Sequence, residues 1–244
     1  MDPFVFEYMK ISSGVKYYPE WWKSLPTTFN PGDNILPVPT MKTCRGFTEY
    51  YKNIFILPSW GDIRIFVGSD KEKTFTYQTT FDRGPDKGIT THPPQQYHNW
   101  PSTPNFQHLK FNSPWRLRTK DDTLFYNGDV PWSRSNPTDY VTLPGITEYK
   151  YQFELNVNIM FDYRSQPRVI DIPVQTPVTS LIPLTDKDVV LHHHLVDSRE
   201  WDNVSPYTRL LQTGGRGTVY NRRKTLLKEH EERNISKCPF HRNS

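Results

Sequence analysis

The sequence predicts a mainly β protein: an antiparallel β-sandwich or β-clip-like domain with long loops, short N-terminal helices and one C-terminal helix. Three observations lead there. Between Tyr151 and Phe161 every odd position is apolar (Tyr151, Phe153, Leu155, Val157, Ile159, Phe161), while every intervening residue except Met160 is polar or charged. That period of two belongs to a strand with one buried face. Alanine is absent from all 244 residues while proline occurs 22 times, so the best helix former is missing and a helix breaker is abundant. The remaining apolar runs are short and bounded by turn residues.

In chain order, Pro19-Glu20-Trp21-Trp22-Lys23-Ser24-Leu25-Pro26 reads as one helical turn pinned by prolines at both ends, its paired tryptophans expected to plug the edge of a sheet. Asn30 to Thr40, dense in proline and glycine, reads as a loop. Thr43 to Asn53 reads as a short helix, followed by strands at Ile54–Pro58, Ile63–Val67 and Thr74–Thr80, the last two joined by the turn Gly68-Ser69-Asp70. From Asp82 to Ser113 the chain turns rich in Pro, Gly, His, Asn and Gln. This stretch is expected to be a long excursion serving as a binding loop or interface arm. Strands are predicted to resume at Ser113–Leu117, Leu124–Tyr126 and Asp139–Leu143, around a loop at Gly128–Pro137. After the long alternating strand, Val169–Leu184 is β-rich but cut by Pro173, Pro177 and Pro183, a spacing that suits short, bent or edge strands. Val189–Val196 reads as the last strand, Thr213 to Gly217 as a joint, and Tyr220–Arg233 as a helix. The domain organisation expected is an N-terminal arm (1–42), a β-rich core (43–204) and a basic C-terminal arm (205–244).

Charge is distributed unevenly along this order. The formal net charge is +4. Residues 205–244 hold nine Lys/Arg against three Asp/Glu, so the body is slightly acidic and the basic character belongs to the tail. Arg222, Arg223, Lys224, Lys228 and Arg233 are the candidate partner-binding residues. Glu229, Glu231 and Glu232 interrupt the run and no aromatics alternate with it, which favours an acidic protein surface over nucleic acid. A mean hydropathy of −0.73 and the lack of a long apolar run predict a soluble, non-membrane protein. Met1 to Lys10 carries Asp2 and Glu7 and has no continuous apolar core, so no secretory signal is expected.

Candidate chemistry is sparse. Cys44 and Cys238 lie far apart and read as two reduced thiols. His92, His98 and His108 fall in the polar excursion, and His192-His193-His194 form a run in which a strand would place His192 and His194 on one face and His193 on the other. The His192/His194 face, with Asp197 beside it, has no identifiable required third ligand, and loop histidines flanked by proline read as hydrogen-bonding surface residues, so no metal or cofactor is expected. There is no phosphate loop, dinucleotide fingerprint or nucleophile elbow. The glycines at 214, 215 and 217 read as a linker.

Several ordered phrases carry a resemblance: the short helix before Lys23, the Cys44 segment running into Phe55-Ile56-Leu57-Pro58-Ser59-Trp60-Gly61-Asp62, Ser113-Pro114-Trp115-Arg116-Leu117, Leu143-Pro144-Gly145-Ile146, and Ile172-Pro173-Val174-Gln175-Thr176-Pro177-Val178-Thr179-Ser180-Leu181-Ile182-Pro183-Leu184. Across roughly residues 15 to 200 they resemble a family found in tailed phages, including phages of cyanobacteria and marine bacteria, to which no catalytic residues are assigned. The second half is also similar, more distantly, to the β-clip fold of dUTPases and dCTP deaminases, where an Asp on a glycine-containing turn activates water. Here that turn is Gly145-Ile146-Thr147-Glu148, with Thr147 where the carboxylate is expected and Thr176-Pro177 where Gly-Asp is expected. Glu148, one residue later, falls on the opposite face of a strand. The resemblance therefore implies shared architecture without the chemistry.

These resemblances and the composition together lead to the expectation of a non-enzymatic structural component of a tailed-phage virion, made in the bacterial cytoplasm, oligomeric in the particle and bound to other virion proteins through loops and terminal arms. The alternatives are a β-clip-type nucleotide-handling enzyme and a host-takeover binding protein.

Overall fold

The structure, a computed structural model, describes residues 9–33, 35–81, 88–101, 103–150, 154–197, 224–226 and 229. The chain is mainly β. Its strands are β1 (Ser12–Ser13), β2 (Thr28–Phe29), β3 (Val38–Pro39), β4 (Phe55–Pro58), β5 (Ile63–Val67), β6 (Phe75–Thr79), β7 (Ile89–His92), β8 (Phe106–Arg116), β9 (Leu124–Gly128), β10 (Val141–Thr142), β11 (Gly145–Glu148), β12 (Glu154–Asp162), β13 (Arg168–Ile172) and β14 (Pro177–Pro183). The two short helices that precede the main sheets are α1 (Glu20–Ser24) and α2 (Arg45–Asn53). All strand pairs are antiparallel, in sheets ordered β1-β4-β14-β9-β11, β10-β12-β8-β7, β13-β5-β6 and β2-β3.

The alternating strand behaves as its period demands. Leu155, Val157, Ile159 and Phe161 of β12 are buried while Glu154, Asn156 and Asn158 are half-exposed. Burying each of those four side chains contributes roughly 1.5–3 kcal/mol. Tyr151 and Phe153 lie outside the described residues. Met160 is buried too, so the end of β12 is covered on both faces.

The partner of β12 is the main departure from expectation. The stretch Asp82–Ser113 is not a long excursion, because β7 and most of β8 lie within it. The eleven-residue β8 pairs with β12 along its length, Val157 opposite Phe111 and Ile159 opposite Leu109, with a register shift near Glu154. Its buried face is Gln107, Leu109, Phe111 and Ser113, and its half-exposed face is Phe106, His108, Lys110 and Asn112. Only two of four inward residues are aliphatic or aromatic, and one outward residue is Phe, so the alternation is blurred. β12 supplies the apolar surface that completes it.

Three of the sheets share one core. Leu57, Phe125 and Leu181 from the five-stranded sheet meet Ile63, Ile65, Val67, Ile170 and Ile172 from the three-stranded sheet and the inward residues of β8 and β12. Met9 and Ile11 join them, so residues inside the expected N-terminal arm contribute to the buried body. In Val169–Leu184 the expectation of short or edge strands holds for β13, a five-residue edge strand followed by Pro173, but not for β14. β14 is neither short nor an edge strand but runs between β4 and β9, with Pro177 and Pro183 at its two ends and a register shift between Pro177 and Thr179. A central strand tolerates proline where the ladder begins or ends, since no donor is required there. Val189–Val196 forms no strand. It runs as an unladdered segment that still alternates: Val189 and Leu191 pack on the core, and His193 Nε2–H donates to the Ile11 carbonyl at 2.8 Å. The described residues of the expected C-terminal helix, Lys224–Leu226 and Glu229, are helical, and the rest of it lies outside the described residues.

Candidate interaction surface

The outer face of the five-stranded sheet is covered by an aromatic layer. Phe47 and Tyr51, one turn apart on α2, face the sheet with Ile54, and Trp22 of α1 stacks on them. Ring centroids lie 4.4 Å apart for Tyr18–Trp22, 5.0 Å for Phe47–Tyr51 and 5.6 Å for Trp22–Phe47. Each such pair adds about 0.5–1.5 kcal/mol beyond its buried area. The tryptophans therefore do not plug a sheet edge, since Trp22 sits in this layer over the sheet face. Trp21 points outward and is exposed, with its ring 5.8 Å from that of Trp132. Burial pushes the Tyr51 phenol up to about 12. Cys44 is a free, half-buried thiol packed against this layer, and Cys238 lies outside the described residues.

From this layer the chain extends a hairpin, β2–β3, whose second strand lies within Asn30–Thr40, the segment expected to be a loop. Its base is anchored. Thr40 N–H donates to the Thr27 carbonyl at 3.0 Å, and Trp22 Nε1–H donates to the Met41 carbonyl at 3.0 Å. Lys42 Nζ donates to the Trp22 and Lys23 carbonyls at 3.2 and 3.1 Å, and sits 4.0 Å from the centre of the Trp22 ring. That lysine caps the carbonyls at the end of α1, joining the Leu25 N–H on the Trp22 carbonyl, and adds a cation–π contact. Phe29, Ile35, Leu36 and Val38 of the hairpin and Met41 at its base are all exposed, Leu36 by 84%. Sequence reasoning did not single out these five residues. The available signal was the presence of Ile35, Leu36 and Val38 in a proline-rich loop, where polar residues are the norm.

The residues singled out from sequence fall in several places. Of the candidate partner-binding residues, only Lys224 is described, half-buried on its helical turn. Arg222, Arg223, Lys228 and Arg233 lie outside the described residues. His92 and His108 are brought together as a directly opposed pair on β7 and β8, with ring centroids 4.2 Å apart and planes 14° from parallel. His92 Nδ1 lies 2.8 Å from Gln96 Oε1, and His108 Nε2 lies 3.2 Å from Asn158 Oδ1. Burial holds the His108 imidazole below its usual range, with His92 and Lys110 pushing the same way and the Asn158 contact partly offsetting them. Stacked rings direct their nitrogen lone pairs along parallel planes and not toward a shared point, which is the wrong arrangement for two ligands of one ion. His98 is not part of the pair; its Nδ1 lies 3.2 Å from the Gln95 carbonyl. His192 and His194 are exposed. Among the described residues no three His, Cys, Asp or Glu side chains converge as metal ligands.

At the turn resembling the β-clip active site, Thr147 stands opposite buried Phe125 and Glu148 opposite exposed Leu124, so the two side chains occupy opposite faces of β11. Thr147 Oγ1 accepts from Asn127 Nδ2 at 2.9 Å, and Asn127 Oδ1 accepts from the Tyr149 hydroxyl at 2.8 Å. Burial raises the Tyr149 phenol far above its ordinary value. This cluster is a satisfied polar contact within the sheet. No helix among the described residues is long and apolar enough to cross a membrane. Comparison with known protein families, with curated proteins and with solved structures finds no match for this chain.

Proposed function

We propose that this protein is a non-enzymatic structural component of a tailed-phage virion, a capsid, neck or tail accessory protein whose arms bind neighbouring subunits. The hairpin β2–β3 is the observation that carries the reading. Its base is held by the Trp22, Lys42 and Thr40 contacts, and its far part presents Phe29, Ile35, Leu36 and Val38 to solvent. An exposed apolar patch costs solubility unless a partner covers it, and an anchored hairpin offers that partner a pre-ordered surface. The phage setting rests on the resemblance of the ordered phrases described above. The basic arm carrying Arg222, Arg223, Lys224, Lys228 and Arg233 supplies a second, electrostatic contact to an acidic neighbour.

Quantitative proteomics of purified particles tests the reading. The protein is expected at a fixed, substantial copy number. Replacing Phe29 to Val38 by a glycine–serine linker, or deleting residues 214–244, is expected to remove it from particles while the body still folds. Absence of the wild-type protein from particles defeats the proposal. Turnover of dUTP or dCTP that disappears in Glu148→Gln would establish the β-clip enzyme in its place.

A further inference from the structure

His92 closes β7 and His108 stands directly opposite it on β8, both half-buried, with their rings stacked at 4.2 Å. Gln96 Oε1 and Asn158 Oδ1 can only accept, so His92 Nδ1–H and His108 Nε2–H donate to them across 2.8 and 3.2 Å. Each neutral ring thus carries its proton on that nitrogen and takes up a further one on the other. Proton uptake leaves both hydrogen bonds in place and changes the charge of the stack. The segment Pro93–Pro101 packs against this pair. Its 3-10 turn, Pro94–Tyr97, sets Gln96 on His92 and the Tyr97 ring 6.1 Å from that of His108. The Trp100 ring lies 5.2 Å from that of Phe106, and the Tyr97 hydroxyl reaches the His92 carbonyl only at 3.5 Å. Two backbone hydrogen bonds lie wholly inside the segment, Gln96 N–H to the Pro93 carbonyl at 3.0 Å and Trp100 N–H to the Tyr97 carbonyl at 2.9 Å.

We propose that the His92–His108 stack is a pH-operated latch, which holds Pro93–Pro101 against β7 and β8 while at most one ring is protonated and releases that segment when both are. The ladder fixes the two backbones opposite each other, so two cationic rings cannot part by moving the strands. The groups that bear on the charge of His108 are His92 across the ladder, Lys110 on the same face of β8, and Asn158 on β12. The first two oppose a second positive ring, and none of the three is a carboxylate that would balance it. From the segment itself comes the Tyr97 phenol, which burial keeps above its ordinary value and therefore uncharged. Of the two rings His108 is the one held, because β8 lies between β7 and β12 and the Asn158 contact ties it across the sheet. His92 ends the edge strand and is followed by proline, so its ring is the one that turns away. That movement takes its partner from Gln96 and uncovers the rings of Tyr97 and Phe106. The device acts within the isolated chain and stands or falls independently of the virion reading.

Amide hydrogen exchange of the full-length protein, corrected for the intrinsic effect of pH on exchange, tests it. Between about pH 7.5 and about pH 5, protection of the Gln96 and Trp100 amides is expected to fall about tenfold or more, while the β8–β12 ladder stays protected. His92→Gln and His108→Gln each leave one titratable ring and are expected to cut that fall to about twofold or less. His98→Gln, in the same segment but outside the stack, leaves the fall unchanged. Lys110→Glu keeps both rings and sets a carboxylate beside them, and is expected to move the loss of protection to lower pH by about half a unit or more. Constant protection of the wild-type segment overturns the latch, as does a fall that persists in both glutamine variants or one that Lys110→Glu leaves in place. Loss of protection in segment and ladder together at the same pH overturns it as well, since the acid effect is then global unfolding.

Discussion

Asp62 and Val174 lie 112 residues apart in sequence, yet Asp62 Oδ1 accepts a hydrogen bond from the Val174 amide at 2.8 Å. The contact closes a small junction. Ser59 N–H donates to the Thr176 carbonyl at 2.7 Å, Gln175 N–H donates to the Ser59 carbonyl at 2.9 Å, and Gln175 holds a positive φ of 69° in the turn closed by Thr176 N–H on the Pro173 carbonyl. Two stretches far apart in sequence, Ser59-Trp60-Gly61-Asp62 and Pro173–Pro177, thus meet in space and position β14 beside β4. Asp62→Ala is expected to cost about 0.5–1.5 kcal/mol by urea denaturation, and Asp62→Asn, which retains an acceptor, clearly less. Equal losses would assign the effect to charge and not to the hydrogen bond.

The alternating strand makes a sharper claim about side-chain direction. Leu155→Ala is expected to destabilise by about 2–5 kcal/mol because it opens a cavity in the core that the three sheets share. Asn156→Ala, on the half-exposed face, should be nearly neutral. The two unfolding midpoints check this directly, and similar shifts for both variants would mean that the faces are misassigned.

Burial of His108 makes stability depend on pH. His108 has its folded-state value depressed below the ordinary histidine value, so the unfolded chain takes up the proton first as pH falls. Its contribution is complete above about pH 6.5 and is lost as pH falls from there through the depressed folded value. Charge uptake there also faces His92 and Lys110. Thermal unfolding between neutral and mildly acidic pH should show a fall in melting temperature that His108→Gln reduces. An unchanged slope in that variant would place the titration elsewhere.

Two glycines separate crowding from propensity. A Cβ on Gly14 would meet the Tyr51 carbonyl oxygen and Ile54 Cγ1, both at 2.5 Å, where Gly14 N–H also donates to the Ile54 carbonyl. Backbone cannot yield as a flexible side chain can, so Gly14→Ala is expected to cost about 1–3 kcal/mol. Gly46, in the first turn of α2, has nothing within 4 Å of its added Cβ. Gly46→Ala is expected to be neutral or to stabilise by up to about 1 kcal/mol. Calorimetric melting of the pair is the check.

The sequence by itself determined the fold class and the elements whose signal is local. The period of two at Leu155–Phe161 is a property of the strand alone, as is the proline-bounded turn that became α1, and the spacing of Phe47, Tyr51 and Ile54 suffices to give α2 its buried face. Tertiary structure decided the rest. β8 carries Gln107 and Ser113 on its buried face and Phe106 on the other, so it becomes a strand only because β12 offers it a ladder and an apolar surface. β14 is central in spite of its prolines because they fall at its ends, beyond the stretch where β4 and β9 both need its backbone. The His92–His108 stack and the anchored hairpin with its exposed Leu36 each join residues that are remote along the chain. No local pattern announces them, because each depends on which strands become neighbours, and that is settled by the summed burial of the whole core.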